Sequence, residues 1–302
     1  MKIFSLTFVL ATLFFFTKAR VLYDFEDWFE ESDFDSNSDD APELGNAWEK
    51  SGEFEGDIIV GADDSIRNGL VSDTFYWPNK TLVYKIDSDT FDADQIDLIN
   101  QAIEEFHKRT CISMREKQTY ELDYVFITGK GAHGCSSHVG RQGGKQPLFL
   151  KPNKPGKGCL KKGTVVHELL HALGFYHQQS APERDQYVKI LWDNIEPGRE
   201  HNFKKYEKET VTNFNVTYDY HSIMHYSAYA FSHNEEKTIV PLEEGIRIGQ
   251  RKTLSKKDVI KLHQMYNCKI ENTEKPEEIT FGSALGPNKD TDDTDDFETI
   301  ID

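Results

Sequence analysis

The sequence lacks several features that would define other classes of protein. Its 302 residues include only four cysteines and no C-x-x-C pair, which argues against a zinc site built from cysteines. No internal repeat is visible, and no apolar run reaches the roughly 20 residues needed to span a bilayer. Basic residues are also scarce, 35 against 52 acidic ones, and with a formal net charge of -17 we expect no nucleic-acid partner.

The first 19 residues have the pattern of a secretory signal peptide. Lys2 precedes an apolar stretch from Ile3 to Phe16, and the small residues Thr17 and Ala19 have the spacing that signal peptidase accepts. A membrane anchor is the weaker interpretation because this run is too short to span a bilayer. We therefore expect a secreted, extracellular protein with no membrane anchor.

The four cysteines form an even set in a chain bound for an oxidising compartment, so the sequence predicts two disulfides. All four lie in the central part of the chain, between residues 68 and 268. Spacing alone leaves three pairings open. The cysteines are Cys111, Cys135, Cys159 and Cys268.

The acidic charge is concentrated in two segments that flank a nearly neutral region. Residues 20–67 carry acids such as Asp39 and Asp40 among serines and asparagines, and residues 269–302 contain Asp292-Asp293-Thr294-Asp295-Asp296. Residues 68–268 contain 25 acidic and 27 basic residues. Because charged segments that are poor in apolar residues cannot build a core, we expect one folded domain over 68–268 and disordered acidic segments on either side.

Short runs rich in β-branched and aromatic residues predict strands of one sheet at residues 82–86 and 124–128. A helix is predicted between them, because apolar residues recur at helical spacing and Asp92 with Gln95 has the spacing of a capping box. Residues 131–147 are Gly-rich and predicted to be irregular, before Leu148-Phe149-Leu150 resumes a strand. With a further helix at the motif described next, the pattern indicates an α+β domain.

A histidine-rich motif predicts a zinc site at residues 167–177, which read His-Glu-Leu-Leu-His-Ala-Leu-Gly-Phe-Tyr-His. On a helix, His167 and His171 lie on one face and can bind one zinc ion, with Glu168 beside the metal. Gly174 can adopt the left-handed conformation that ends a helix, so that the chain turns and His177 reaches the same ion. Three nitrogen ligands leave zinc an open position for water, which is typical of a catalytic site.

The length of this motif separates it from chance matches. A lone H-E-x-x-H often arises by accident on an amphipathic helix, but five fixed positions have a chance probability on the order of 10⁻⁴ in a chain of this length. With Met224 in the downstream run Ser222-Ile223-Met224-His225-Tyr226, the motif matches the metzincin signature. Over nearly all of residues 68–268 the chain resembles the astacin family. The further motifs that carry this resemblance are Gly134-Cys135-Ser136-Ser137, Pro147-Leu148-Phe149-Leu150, Arg184-Asp185, Ile248-Gly249-Gln250-Arg251 and Met265-Tyr266-Asn267-Cys268.

The resemblance implies a metzincin-type fold of two subdomains, with a twisted sheet and helices above the cleft and mostly irregular chain with a C-terminal helix below. It implies a zinc endopeptidase, made as a zymogen, that hydrolyses peptide bonds of protein substrates with a zinc-bound water and Glu168 as the general base. Tyr226 would be an additional zinc ligand that swings away to stabilise the transition state, or else an aromatic packing residue. Met224 would form an apolar floor beneath the histidines.

Other site residues follow from the same resemblance. An extended substrate is expected to pair with a strand edge near Leu148. Arg251 is a candidate for selecting an acidic residue just after the cleaved bond, and the alternative is a surface arginine. The disulfide pairs that the family implies are Cys111 with Cys268 and Cys135 with Cys159.

The acidic leader at residues 20–67 resembles the family's activation prosegment. In Phe54-Glu55-Gly56-Asp57 the aspartate matches the residue that binds zinc in place of the catalytic water, so Asp57 is expected to hold the zymogen inactive. The alternative is one more carboxylate in an acidic run. Cleavage at Arg67–Asn68 by a trypsin-like protease would activate the enzyme.

The sequence departs from the family pattern directly after the third histidine. The family commonly has a glutamate there, which meets the new amino terminus through water, whereas this chain has Gln178, which cannot form an ion pair. Ala181 also replaces a common arginine. Away from the site, the sequons at Asn79 and Asn215 predict glycosylation.

Two other functions stay open at this point. The chain could be a catalytically silent, zinc-stabilised binding protein, although Glu168 and Tyr226 are both present. The acidic segment at 269–302 could instead be the functional part, as a calcium or matrix adhesion segment, but it lacks the spacing of an EF-hand loop. The sequence does not identify the substrate, and the lack of recognisable accessory modules mildly favours broad digestion or toxin-like use.

Overall fold

The computed structural model describes residues 47–49, 51–60, 73–208 and 211–269. The predicted signal peptide, the predicted cleavage point Arg67–Asn68 and nearly all of the acidic segment at 269–302 lie outside the described residues. Within the described part, no helix is both long enough and apolar enough to cross a membrane.

Five strands form one sheet in the first half of the described domain. They are β1 (Thr81–Ile86), β2 (Ser113–Glu116), β3 (Tyr124–Thr128), β4 (Cys135–Ser137) and β5 (Lys145–Leu150). Their order across the sheet is β2-β1-β3-β5-β4, with β4 antiparallel to β5 and the other neighbours parallel. In β5 the buried residues Gln146, Leu148 and Leu150 alternate with less buried ones, so one face of this strand contributes to the core.

Strands β1 and β3 lie where the sequence predicted strands, whereas the prediction of irregular chain over residues 131–147 was wrong. This range contains β4 and the first part of β5. The Cys-Ser-Ser sequence of β4 has no β-branched or large apolar side chain that would mark a strand. Pairing with β5 and the disulfide at Cys135 hold it in the sheet, so this strand depends on tertiary contacts rather than local propensity.

Two helices pack within the core of this half. Helix α1 (Ala93–Arg109) begins with the predicted capping box, in which Asp92 accepts a bond from Gln95 N–H and Gln95 accepts one from Asp92 N–H. Helix α2 (Lys162–Leu173) is buried at every position after its first residue, because it runs through the hydrophobic core. The buried apolar face of α1 includes Ile99, Ile103 and Phe106.

The second half of the domain is mostly irregular chain with short 3-10 turns. It contains an antiparallel ribbon of β6 (Val188–Ile190) and β7 (Ile239–Pro241), followed by the C-terminal helix α3 (Lys256–Met265). A second hydrophobic cluster lies here, distinct from the one that contains the sheet and α2. The disulfide Cys111–Cys268 joins the chain after α3 to the chain after α1, with Cα atoms 5.9 Å apart. The fold is α+β, as the sequence predicted.

Candidate metal centre

Helix α2 supplies two of the three motif histidines, and the turn after it supplies the third. His167 and His171 are fully buried on one face of the helix. The helix ends because Gly174 takes a left-handed φ of 117°, with its N–H donating to His171 O at 2.7 Å. The chain then reverses, and the His177 ring centroid comes within 4.7 Å of that of His171.

The Nδ1 atoms of the three rings lie beside oxygen acceptors. His167 Nδ1 lies 2.9 Å from the Ile223 carbonyl, His171 Nδ1 lies 2.7 Å from the Phe175 carbonyl, and His177 Nδ1 lies 2.8 Å from Glu55 Oε2. A proton on each Nδ1 satisfies these contacts and leaves the Nε2 lone pair for a metal. The hydrogen bonds therefore orient all three rings as Nε2 ligands.

Asp57 lies where the three Nε2 atoms converge. Its Oδ2 is 3.1 Å from His167 Nε2, and its Oδ1 is 3.4 Å from His171 Nε2 and 3.2 Å from His177 Nε2. One ligand atom from each of these four residues lies within 4.8 Å of all the others. The structure thus brings the predicted latency residue and the three predicted ligands into one buried cluster.

The polar atoms of this cluster fit a zinc ion. Asp57 Oδ1, His171 Nε2 and His177 Nε2 are buried and have no hydrogen-bond partner among the described residues. Buried polar atoms are rarely left unpaired, and here they face one another around a common point. Three imidazole nitrogens and one carboxylate oxygen form a donor set that zinc accepts in tetrahedral geometry.

Burial favours the neutral, metal-binding state at two of the three histidines, whereas the Asp57 and Glu55 carboxylates favour the charged state at the third. Burial lowers the pKa of His167 to about 3 and also lowers the pKa of His171, which favours the neutral rings that coordinate metals. At His177 burial acts in the same direction, but the Asp57 and Glu55 carboxylates outweigh it and raise the pKa to about 9. The same histidines hold the pKa of Asp57 well below its usual range despite its burial.

Glu168 follows His167 on α2 and is fully buried. Neither carboxylate oxygen has a hydrogen-bond partner among the described residues. Burial raises the pKa of Glu168 well above its ordinary value, the Asp57 carboxylate raises it further, and Arg251 acts in the opposite direction. A carboxyl group with unoccupied oxygens beside the metal ligands is suited to proton transfer.

Tyr226 lies against His177, with ring centroids 4.7 Å apart. Its hydroxyl donates to the Glu55 carbonyl at 2.5 Å, and its backbone N–H donates to Gln179 Oε1 at 3.1 Å. Burial raises the pKa of Tyr226 well above its usual value, and the Glu55 and Asp57 charges add to this effect, so the phenol stays protonated. Met224 is buried in the same turn, and its carbonyl accepts from Gln178 N–H at 3.1 Å.

Two residues of the acidic leader that sequence reasoning missed also belong to the cluster. The Glu55 carboxylate contacts His177 and accepts from Ser180 Oγ at 3.2 Å. Trp48 stacks on Tyr226 with ring centroids 4.7 Å apart and lies edge-on to Phe231 at 5.6 Å. The available signal for Trp48 was a tryptophan in a charged segment, because such a large apolar residue is rarely left in water.

The segment around Asp57 also pairs with the edge strand β4. Asp57 O accepts from Ser137 N–H at 2.8 Å, and Ile59 N–H donates to Ser137 O at 2.9 Å, in a parallel bridge. Leu148, near which the sequence predicted an edge for substrate, lies in β5 opposite Ser137, so the sheet edge beside it is β4 and substrate pairing there stays a prediction. Gly56 is required here, since a Cβ would come within 2.9 Å of the Trp48 ring and its φ is 90°.

The remaining predicted residues lie at the edge of the centre or on the surface. Arg251 Nη1 donates to the carbonyls of His225 and Gln250 at 2.8 and 2.9 Å, and its guanidinium lies 5.8 Å from the Trp48 ring. Asn79 and Asn215 are both exposed. The cysteines pair as Cys111–Cys268 and Cys135–Cys159, with the Cα atoms of the second pair 5.5 Å apart.

Comparison with known proteins agrees with this arrangement. The family model described as Astacin, a peptidase family, matches residues 70–267. Zinc metalloproteinase nas-13 of Caenorhabditis elegans is 40% identical over 222 residues, which cover 71% of this chain and 48% of that protein. Seminal metalloprotease 1 of Drosophila melanogaster is 40% identical over 224 residues, which cover 72% of this chain and 88% of that protein. The chain therefore spans about half the length of the nematode relative and most of the insect one.

A solved structure of a zinc protease has a similar fold. High choriolytic enzyme 1, a hatching enzyme zinc-protease from Oryzias latipes, is 36% identical and superposes with a TM-score of 0.59, over 66% of this chain and 97% of that one. The sheet, the helices and the three-histidine centre described above agree with this fold, and zinc is the metal of the family. The chain belongs to the astacin family of zinc metalloendopeptidases.

Proposed function

We propose that this chain is the precursor of a secreted zinc endopeptidase whose metal centre is closed by its own amino-terminal segment. The observation that carries the proposal is the buried convergence of three histidine nitrogens and the Asp57 carboxylate within 4.8 Å of one another. The proposed organisation is a signal peptide at 1–19, a prosegment at 20–67, a catalytic domain at 68–268 and an acidic tail at 269–302.

Latency would rest on Asp57 as the ligand that fills the position a catalytic zinc keeps open. Residues 47–60 engage the other catalytic candidates at the same time. The Glu55 carboxylate contacts His177, the Glu55 carbonyl accepts from the Tyr226 hydroxyl, and Trp48 covers the Tyr226 ring. While this segment is bound, a substrate carbonyl has no access to the metal or to Tyr226.

Zinc, when bound by the three histidines, supplies a Lewis acid that polarises a peptide carbonyl and acidifies water. Departure of Asp57 would leave Glu168 as the carboxylate beside the ligands. It would also remove one of the charges that raise the Glu168 pKa, so the ionised form becomes more favourable on activation. Glu168 could then accept a proton from the attacking water and return it to the leaving amine.

Tyr226 would act on the oxygen of the scissile carbonyl. In the uncleaved chain its phenol already donates to a carbonyl oxygen, that of Glu55. Because its pKa is raised, the phenol remains a donor at neutral pH and could stabilise the negative charge that develops on the substrate oxygen.

Protein substrates would bind in extended form along β4. Ser137 N–H and C=O, which residues 57–59 occupy in the uncleaved chain, would become available to a substrate backbone. Removal of Trp48 would also uncover the Arg251 guanidinium, which is 5.8 Å from its ring. A cation at this edge of the cleft supports the proposed preference for an acidic residue just after the cleaved bond.

Secretion and processing complete the proposal. The amino-terminal pattern of residues 1–19 and the two disulfides both suit an oxidising secretory route. A trypsin-like protease would cleave at Arg67–Asn68, and the exposed Asn79 and Asn215 are accessible to glycosylation.

The proposal is tested by secreting the full chain, trimming it after Arg67 and measuring hydrolysis of a peptide mixture with and without a zinc chelator. We expect chelator-sensitive cleavage. Glu168→Gln should keep one zinc per chain and lose about 10²–10⁴-fold in kcat, because the proton acceptor is gone. The exposed Glu243→Gln should match the parent chain.

The same measurement distinguishes an active enzyme from a catalytically silent zinc-binding protein. Full activity of Glu168→Gln would refute the assigned base. A trimmed chain that binds zinc but cleaves no peptide would instead favour the silent zinc-binding protein.

A further inference from the structure

A buried pocket beside the third histidine holds the Glu55 carboxylate in the uncleaved chain. Glu55 is 1% exposed, and its Oε2 lies 2.8 Å from His177 Nδ1. Its Oε1 accepts from Ser180 Oγ at 3.2 Å. The proposed chemistry uses His177 only through Nε2, on the opposite side of the ring. The groups that bind Glu55 therefore have no assigned role once the amino-terminal segment leaves.

Tyr206 lies beside the same carboxylate. Its backbone N–H donates to Ser180 O at 2.8 Å, which holds these two residues side by side. Burial raises the pKa of the Tyr206 phenol well above its usual value, and the nearby Glu55 carboxylate raises it further, so the phenol stays protonated. A protonated phenol is a donor suited to a carboxylate. We call His177 Nδ1, Ser180 Oγ and the Tyr206 hydroxyl the carboxylate pocket.

The carboxylate pocket stays in the catalytic domain when residues 47–60 depart. His177 is 3% exposed and Ser180 is fully buried in the uncleaved chain. Buried donors are unfavourable without an acceptor, and a charged acceptor binds them more strongly than a neutral one. A carboxylate offers two acceptor oxygens, whereas an amide of the same size offers one oxygen and turns donors toward donors. The pocket should therefore select a carboxylate over an amide.

The Glu55 backbone indicates which substrate residue can reach this pocket. The Tyr226 hydroxyl donates to the Glu55 carbonyl at 2.5 Å, while the Glu55 carboxylate contacts His177. One residue thus presents its carbonyl to Tyr226 and its side chain to the pocket. In the proposed reaction Tyr226 acts on the scissile carbonyl, which belongs to the residue just before the cleaved bond. The side chain of that residue is the one expected to enter the pocket.

The carboxylate pocket is distinct from the cation proposed to select the residue after the cleaved bond. That cation is Arg251, which lies in the segment before α3 and donates to the His225 and Gln250 carbonyls. The pocket instead consists of the third histidine, the turn that follows it and residue 206. The two sites can therefore be tested independently.

We propose that the carboxylate pocket is a substrate subsite that selects glutamate just before the cleaved bond. The inference rests on the proposed function and deepens it by naming a contact that determines specificity. Glu55 would then occupy, in the uncleaved chain, a site that a substrate side chain uses after activation. Together with Arg251, the pocket would direct the enzyme to acidic segments of protein substrates.

The first arm of the test measures cleavage by the zinc-loaded full chain after trimming at Arg67. Fluorogenic peptides carry Glu, Gln or Asp just before the cleaved bond and are otherwise identical, and mass spectrometry confirms which bond is cut. We expect kcat/KM for Glu to exceed that for Gln about tenfold or more. Asp should fall between them, because its side chain is one methylene shorter. Equal values for Glu and Gln would overturn the inference.

The second arm removes single hydroxyls from the pocket. We expect Ser180→Ala and Tyr206→Phe each to lower the Glu-to-Gln ratio of kcat/KM at least about threefold. The matched controls Ser113→Ala and Tyr120→Phe change exposed residues and should keep the parent ratio. Because the ratio compares two peptides on one variant, a general loss of folded or zinc-loaded protein cancels from it. A parent-like ratio in both pocket variants would contradict the assignment.

The third arm needs no catalysis. A synthetic peptide of residues 47–60 and its Glu55→Gln form are titrated into the trimmed chain and into Ser180→Ala by calorimetry. We expect the trimmed chain to bind the Glu55 form about tenfold more tightly, and Ser180→Ala to discriminate at least about threefold less. Equal affinities for the two peptides would show that the pocket does not select a carboxylate.

The three arms separate the two ways in which the inference can fail. Discrimination in binding without cleavage of any peptide would refute the proposed function, and the substrate role of the pocket with it. Cleavage that is indifferent to Glu or Gln before the bond would leave the peptidase in place and overturn the inference alone.

Discussion

At the scale of single residues, Asp57 is not the only residue of the amino-terminal segment that binds at the metal centre. Glu55 contributes a carboxylate to His177 and Ser180 and a carbonyl to Tyr226, while Trp48 covers the Tyr226 ring. A hydrogen bond to a charged partner contributes about 1.5–3 kcal/mol, so Glu55 adds substantially to the affinity of the segment for the site.

Glu55→Gln should therefore raise the peptidase activity of the uncleaved chain. The change removes the negative charge beside His177 and weakens retention of the segment, so we expect peptidase activity before cleavage to rise about 10-fold or more. Glu53→Gln is the matched control, since Glu53 lies two residues earlier and is only half-buried. The assay is hydrolysis of a fluorogenic peptide by uncleaved chains.

The activities of the two variants after cleavage provide the control. After cleavage and removal of the segment, both should have the activity of the parent chain, because residue 55 is then gone. Equal background activity for Glu55→Gln and Glu53→Gln before cleavage would contradict the role assigned to Glu55.

The site residues differ in how far the sequence alone could predict them. His167, His171 and His177 were predictable because helical spacing and Gly174 fix their geometry locally. Glu55 and Trp48 were not, because their roles depend on contacts between segments far apart in sequence, such as Glu55 with His177 and Trp48 with Tyr226.

At the scale of elements, helix α2 is anchored at its start by a charged cluster. Glu105 of α1 is 7% exposed and lies 2.6 Å from Lys162 Nζ and 3.1 Å from Arg109 Nη1. It also accepts from Leu254 N–H at 3.3 Å, just before the start of α3. One carboxylate of α1 thus contacts the first residue of α2 and the segment that leads into α3.

Glu105→Gln should destabilise the domain in a pH-dependent way. Burial alone would raise the Glu105 pKa, but its bonds to Lys162, Thr253 and Arg109 outweigh burial and lower it from 4.5. A lowered folded-state pKa contributes stability above the unfolded value and loses it as pH falls through the folded value. We expect a loss of about 1–2 kcal/mol at pH 7 that shrinks below pH 4.5.

Urea unfolding of the parent chain and the variant at pH 7 and at acidic pH measures this difference. Glu104→Gln is the control, because the Glu104 side chain is 52% exposed and its ion pairs contribute little. A Glu105→Gln deficit that stays constant or grows toward acidic pH would contradict the assignment.

Elements were predictable where local pattern and tertiary environment agree. Strands β1 and β3 and helix α1 follow from β-branched runs, helical spacing and the Asp92 capping box. Strand β4 does not, because Cys-Ser-Ser has no strand propensity and pairs only when β5 and the Cys135–Cys159 disulfide are in place. This short strand is nevertheless the edge that residues 57–59 use.

At the scale of the whole molecule, the disulfides close loops of very different length. Cys111 and Cys268 are 157 residues apart, whereas Cys135 and Cys159 are 24 apart. Because longer loops lose more entropy on closure, the first bond restricts the unfolded chain more strongly. It also fixes the end of α3, the helix that carries Asp258 and Lys261.

Replacing both cysteines of a pair by serine should lower the free energy of unfolding more for the longer loop than for the shorter one. We expect losses of about 4–5 kcal/mol for Cys111–Cys268 and about 3 kcal/mol for Cys135–Cys159, measured by urea unfolding of the zinc-loaded chains. A larger loss from the shorter loop would show that local strand pairing at β4, rather than loop closure, dominates.

The central claim is that Asp57 and its segment close a catalytic zinc site that is otherwise complete. The most direct test is the rate of peptide hydrolysis by the full chain before and after cleavage at Arg67–Asn68, with zinc content measured in both states. We expect one zinc per chain throughout and a chelator-sensitive rise of about 100-fold or more on cleavage, which corresponds to about 2.7 kcal/mol. Equal rates before and after cleavage, or a cleaved and zinc-loaded chain without activity, would contradict it.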